Sequence, residues 1–153
     1  MEKVTRSAEQ TQKLAAEFAK KLKGGEVLCL YGDLGSGKTT FVQGLAKGLG
    51  IKKRILSPTF VLMRSYNISG LENWRISELA KDAYLYHIDL YRIGSAKETE
   101  MLGLQEILDD PQNIVAIEWA EKIKDILPSK RIEVYFEHID ENTRRIRIQP
   151  LSC

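Results

Sequence analysis

Gly32-Asp33-Leu34-Gly35-Ser36-Gly37-Lys38-Thr39 has the spacing of a phosphate-binding loop: a glycine, four residues, then Gly-Lys-Thr. The chemistry asks for these residue types. Glycines let backbone N–H groups turn inward around phosphate oxygens, along dihedrals that other residues resist. Lys38 places a point charge on the β- and γ-phosphates, and the Thr39 hydroxyl is a hard oxygen ligand suited to Mg²⁺. The flanks agree. Glu26-Val27-Leu28-Cys29-Leu30-Tyr31 is a short apolar run that reads as a buried strand. Phe41, Val42, Leu45, Ala46 and Leu49 fall at helical spacing, and Gly50 can close that helix. Strand, glycine loop and helix together aim a helix N-terminus at an anion.

The rest of the chain is consistent with one globular domain spanning residues 1–153. Hydrophobic content of 43% and charged content of 29% are ordinary for such a domain. A net charge of +2 is too small to imply nucleic-acid or membrane binding. No apolar run reaches the length of a membrane span, and the first residues lack the apolar core of a secretory signal. The two cysteines, Cys29 and Cys153, suggest neither a disulfide framework nor a zinc site. A reducing, cytoplasmic setting is therefore expected.

Upstream of the loop, Ser7-Ala8-Glu9-Gln10 is a capping-box string, and Leu14, Ala15, Phe18, Ala19 and Leu22 form an apolar helical stripe ended by Gly24-Gly25. On the residues alone, Thr11 in its first turn is most simply solvated. Downstream, Ser57-Pro58-Thr59-Phe60 reads as a loop or strand start, and residues 60–66 as a strand. Ser-Pro-Thr is a common turn. In a nucleotide-binding fold, a threonine placed there also has the chemistry to sense a γ-phosphate or Mg²⁺. Residues 67–81 are polar, without a strand period, and read as an insertion or loop.

Two further apolar stretches each end on an acid. The first, residues 83–88, meets Asp89; the second, residues 113–117, meets Glu118. A carboxylate just past a strand's C-terminal end lies where open α/β sheets place ligand chemistry. Two such acids supply what Mg²⁺ and an attacking water need. His87 beside Asp89 reads as structural more readily than catalytic. Arg92 can pair with an acid or contact phosphate, and Trp119 can pack or stack on a base. Residues 95–109 read as a helix weakened at Gly103, and residues 120–127 as a short helix stopped by Pro128. Residues 131–137 and 144–148 alternate with period two around Asp140-Glu141-Asn142, an antiparallel hairpin. Its arginines are most simply a solvated face, although Arg144 sits at the turn end, where it can reach out of the sheet. The sum is an α/β fold: a phosphate-loop NTPase-like, three-layer domain with a mixed sheet and a C-terminal hairpin.

Several motifs in this order resemble the TsaE family of bacterial phosphate-loop ATPases. They are residues 32–40, Ser57-Pro58-Thr59-Phe60, His87-Ile88-Asp89-Leu90-Tyr91-Arg92, Leu102-Gly103-Leu104, Ile117-Glu118-Trp119, and Arg144 with Ile146 in the hairpin. The resemblance implies a Mg²⁺- and ATP-dependent ATPase needed to make threonylcarbamoyladenosine next to the tRNA anticodon. It implies docking on a TsaB–TsaD complex, which the ATPase resets between turnovers, with tRNA met only through that complex. By the same resemblance, Gly35, Ser36, Gly37, Lys38, Thr39 and Thr40 wrap the phosphates, and Thr39 and Glu118 hold the metal. Asp89 and Thr59 belong to nucleotide-sensitive segments, and Thr11 and Arg144 lie near the nucleotide. The family usually has alanine where this chain has Ser36, and the stretch between Tyr66 and Tyr84 is longer here. A small-molecule kinase using the same loop is the alternative, although only Arg75 in the 67–83 stretch supplies the arginine that a kinase lid favours.

Overall fold

The strand that precedes the loop is the middle of the molecule because its residues are apolar on both sides. Val27, Leu28, Cys29 and Leu30 are all buried, the pattern of a parallel strand covered on both faces. In the computed structural model, which describes residues 1–58, 62–68, 82–95, 97–100 and 102–151, this strand belongs to a seven-stranded mixed sheet. The elements in order are β1 (Glu2–Thr5), α1 (Ala8–Ala19), β2 (Val27–Tyr31), α2 (Lys38–Leu49), β3 (Met63–Asn67) and β4 (Tyr84–Asp89). There follow α3 (Lys97–Glu100), α4 (Leu104–Asp109), β5 (Ile114–Glu118), a 3-10 helix (Ala120–Ile126), β6 (Arg131–His138) and β7 (Arg144–Leu151). The sheet order is β1-β7-β6-β2-β5-β4-β3. The central strands β6, β2, β5 and β4 run parallel; β3 and β7 flank them antiparallel, and β1 pairs antiparallel with β7 and so runs in the direction of the central strands.

Each face of the sheet has its own core. Helices α1 and α2 cover Leu28, Leu30, Leu85, Ile114, Val134 and Ile146. On the other face, α4 and the 3-10 helix bring Leu104, Leu108 and Ile123 against Val27, Cys29, Ile88, Val115 and Ile117. Burial pushes the Cys29 thiol up to about 12, so it remains protonated and takes no part in nucleophilic chemistry.

Helices α1 and α2 pack with their backbones in close approach. A Cβ at Gly44 would lie 2.3 Å from the Gln12 carbonyl oxygen, and one at Gly48 would lie 2.4 Å from that of Ala16. Backbone meets backbone here, with Ala15 and Ala19 the nearest side chains. Gly44→Ala should therefore force the helices apart, because no rotamer change relieves a clash with main chain. Overpacking of about 1–3 kcal/mol exceeds the roughly 1 kcal/mol that alanine gains over glycine in a helix. The expected result in a thermal melt is a lower midpoint, by roughly 2–4 °C per kcal/mol lost; a raised midpoint would show that the helices do not touch this way.

The sequence-based elements differ from the structure in three places. β1 was not expected from so short a run; it is a strand because β7 supplies its partner, with Thr5 opposite Arg144. Among the described residues the third strand begins at Met63, and Leu62 before it has a left-handed backbone (φ 67°) with its N–H donating to the Pro58 carbonyl, which breaks the extended path; residues 60 and 61 lie outside the described residues. The weakening expected at Gly103 is present: with φ 65° it stands between two short helices of the 95–109 stretch. The segment after Trp119 is 3-10, with a kink at Ile123. Thr59, and nearly all of the polar insertion (residues 69–81), lie outside the described residues.

Candidate functional site: a phosphate loop over two strand-tip acids

The loop leaves β2 at the C-terminal edge of the parallel strands, the crevice where such sheets bind ligands. Its glycines are needed for shape. Gly35 and Gly37 have φ of 78° and 107°, and a Cβ at Gly32 would lie 2.6 Å from Ser36 Oγ and 2.9 Å from the Phe136 carbonyl. No side chain caps α2, whose Ncap is Gly37, so the helix opens on the cavity with its first-turn N–H groups available to an anion.

That cavity has a volume of about 520 Å³. One wall is Leu34, Gly35 and residues 37–40 of the loop and helix; the floor carries Asp89, Glu118 and Trp119. The other end is formed by Ser7, Ala8 and Thr11 of the first helix and Glu141, Asn142 and Arg144 of the hairpin. Asp89 and Glu118 are the last residues of adjacent parallel strands and stand opposite each other in register. Lys38, Asp89 and Glu118 are each 4% exposed, so three charged groups are held out of water, where each needs a partner.

Their partners are explicit. Lys38 Nζ donates to the carbonyls of Gly32 and Asp33 and lies 4.3 Å from the centre of the Trp119 ring. Burial pushes the Lys38 ammonium below the ordinary lysine range, against the pull of Glu118, Glu121, Asp89 and Asp33. A cation held in this way gains from an arriving phosphate. Thr39 Oγ1 donates to Glu118 Oε2 at 2.9 Å, and His87 Nε2 lies 2.5 Å from the same oxygen. Asp89 Oδ1 accepts the Tyr91 N–H at 3.0 Å, which shapes the turn after β4. Thr39, Glu118 and Asp89 are hard oxygen donors. Among the described residues no ready-made cluster of three or more metal-ligating side chains exists. Hard oxygen donors are the ligand type that Mg²⁺ takes.

At the end of the cavity opposite the loop, Thr11 is buried, and its hydroxyl is 2.7 Å from that of Thr5. It is not the solvated residue its helical position suggested. Arg144 is not a solvated face either: its guanidinium donates to the carbonyls of Asp140, Glu141 and Thr143, and reaches the Gly35 carbonyl at 3.2 Å. The hairpin is thereby tied to the loop. Ser36 points inward, with its Oγ buried and without a partner among the described residues, while its N–H donates to Asp33 at 3.0 Å. Arg92 is not among the residues that line the cavity.

The comparisons with known proteins fit this geometry. A family model described as threonylcarbamoyl adenosine biosynthesis protein TsaE matches residues 5–146. The chain belongs to the TsaE family. It is 38% identical to the Bacillus subtilis tRNA threonylcarbamoyladenosine biosynthesis protein TsaE over 142 residues, covering 93% of this chain and 80% of that one. The Aquifex aeolicus TsaE is 40% identical over 149 residues, 96% of this chain and 94% of its own. The crystal structure of YdiB from Bacillus subtilis superposes with a TM-score of 0.77 at 33% identity, covering 99% of this chain and 86% of that one. The TsaE family is involved in tRNA threonylcarbamoyladenosine biosynthesis, and this chain has its mixed-sheet α/β fold.

Within this TsaE fold, every described site residue read from sequence either lines the cavity or, as with Ser36, supports its loop from beneath. Sequence reasoning passed over the groups that hold the site together. His87 was read as structural, yet it touches Glu118. Trp119 neither simply packs nor stands at the end of the cavity opposite the loop; it lies over Lys38 and against Tyr91, ring centres 5.1 Å apart. The available signal was register: His87 and Asp89 are two apart on one strand, so they share the face on which Glu118 stands.

Proposed function

We propose that the protein is a Mg²⁺-dependent ATPase that drives threonylcarbamoyladenosine formation by docking on a TsaB–TsaD complex and resetting it between turnovers. The observation that carries this reading is the convergence, in one cavity, of the phosphate loop, the Thr39–Glu118 pair, Asp89, and the Thr11–Arg144 end. In this reading the phosphates lie at the loop and the nucleoside between the first helix and the hairpin, both of which line the cavity.

In this reading water attacks the γ-phosphate, and catalysis is positioning and charge stabilisation. Lys38 leaves the Gly32 and Asp33 carbonyls for the β- and γ-phosphates. The first-turn N–H groups of α2 hold phosphate oxygens. Thr39 and Glu118 are the residues that would hold Mg²⁺, which would supply charge neutralisation at the phosphates. Asp89, or Thr59 from outside the described residues, is the residue assigned to positioning groups near the γ-phosphate. The Arg144 guanidinium is engaged on hairpin carbonyls and Gly35, so it braces the loop and is a poor candidate for the arginine finger that accelerates phosphoryl transfer. Slow hydrolysis alone follows. Among the described residues no helix is long and apolar enough to cross a membrane, and the cytoplasm, where tRNA is modified, is the proposed setting.

The test is ATP turnover with and without purified TsaB–TsaD, together with co-purification in ATP, in ADP and without nucleotide. Stimulated turnover and nucleotide-dependent association are expected. Equal rates in both conditions would overturn the partner-gated reading, and a phosphorylated metabolite as product would replace it with a kinase.

A further inference from the structure

We propose that His87 is a positioning residue for the metal ligand Glu118: its Nε2–H, carried on a buried strand, fixes the carboxylate so that Oε1 faces the cavity. This rests on the reading of Glu118 as a Mg²⁺ ligand. The geometry comes from the sheet. β4 and β5 are parallel, with His87 opposite Ala116 and Asp89 opposite Glu118. His87 is therefore the diagonal neighbour of Glu118 on one face, within reach of a long side chain. The imidazole is fully buried. Its Nε2 is 2.5 Å from Glu118 Oε2, the atom that also accepts the Thr39 hydroxyl. Both bonds fall on Oε2, which leaves Oε1 for the metal.

The two supports are not equivalent. Thr39 sits in the first turn of α2 and is itself offered to the metal, so its hydroxyl geometry depends on what is bound. His87 is carried on β4, held between β3 and β5 in the sheet. The tautomer follows from the partner. An ionised carboxylate only accepts, so Nε2 carries the proton. Nδ1 has no partner among the described residues, which suits a bare acceptor better than a buried N–H, the costlier group to orphan. Groups that orient a metal ligand from outside typically change metal affinity by 10–100-fold when removed.

A mere core histidine predicts the opposite order of variants, and that makes the test sharp. His87→Leu fills the space without a donor; His87→Gln returns an N–H near the Nε2 position. The measurement is ADP affinity in MgCl₂ and in EDTA, by calorimetry, for wild type and both variants. The ratio of the two affinities is the magnesium gain. His87→Leu should lower it by about 10-fold or more, with metal-free ADP affinity within about twofold of wild type, and His87→Gln should keep most of it. A His87→Leu protein with the full gain, or equal losses in both variants, overturns the assignment alone. A wild type without any magnesium gain overturns the Mg²⁺-ATPase reading, and the assignment with it. Imidazole ¹⁵N spectra of the wild type require no variant to fold, and the chain has only two histidines to assign. Nε2 should be the protonated nitrogen of His87, and its resonance should shift in Glu118→Gln; a protonated Nδ1 with bare Nε2 overturns the proposal.

Discussion

Lys38→Ala should abolish stabilisation by ATP and lower turnover by on the order of 10²–10³, the usual loss when one preorganised charge donor is removed from a reacting oxyanion. The apo protein should keep its stability within about 1 kcal/mol. The two outcomes separate because Lys38 is not held by a structural ion pair. Its ammonium rests on two loop carbonyls and an indole face, and the carbonyls can turn to water when it is gone. Burial already disfavours its charge. The sign with pH follows. The folded pKa lies below the ordinary 10.5, so between the two values the folded chain binds fewer protons than the unfolded one, and Lys38 adds stability as pH rises. Nucleotide affinity runs the other way: it should fall as pH climbs through the depressed folded value, earlier than a free lysine would allow. Melts with and without ATP across the alkaline range check both trends. An Lys38→Ala protein that ATP still stabilises would refute the phosphate assignment.

Glu118→Ala should remove the magnesium dependence of nucleotide binding while sparing metal-free binding. A loss of at least about tenfold in apparent Mg²⁺ affinity, or about 1.4 kcal/mol, is expected from a charged oxygen ligand. This variant should also destabilise the fold. It strands the buried His87 Nε2–H and the Thr39 hydroxyl, and an orphaned buried donor costs about 1–3 kcal/mol. Glu118→Gln keeps an acceptor for both and removes a like charge beside Asp89, so it should be close to wild type in stability yet still impaired with metal. Magnesium titrations of ADP binding, beside thermal melts, read the two effects separately. Equal magnesium dependence in wild type and Glu118→Ala would exclude Glu118 from the metal site.

How much of this was legible in the chain depended on the range over which each signal acts. The β2–loop–α2 unit was readable because its causes are local: an apolar strand, glycines with left-handed backbone, and a helical stripe. Asp89 and Glu118 were readable because each closes an apolar run. Thr11 and Arg144 were not, on the residues alone. Their helical and strand positions suggested solvent, and only β1, pairing with β7 and carrying Thr5 to Thr11, buries the threonine. A four-residue edge strand has no periodicity to detect. The break at Gly103, by contrast, was legible, because a glycine acts on the helix locally.

The residue order alone determined that the chain carries a glycine loop of phosphate-binding spacing on an α/β sheet, since loop spacing and apolar periodicity need no partner from elsewhere in the chain. Tertiary structure decided what surrounds that loop. Parallel register places Glu118 between Thr39 and His87. Glycines 44 and 48 bring α1 and α2 into backbone contact, and with them Thr11 into the same cavity as Thr39. The hairpin returns Arg144 to the Gly35 carbonyl, 109 residues back along the chain. Those contacts depend on which strands lie side by side, and strand neighbourhood is set by the burial of the whole sheet, which no single stretch encodes.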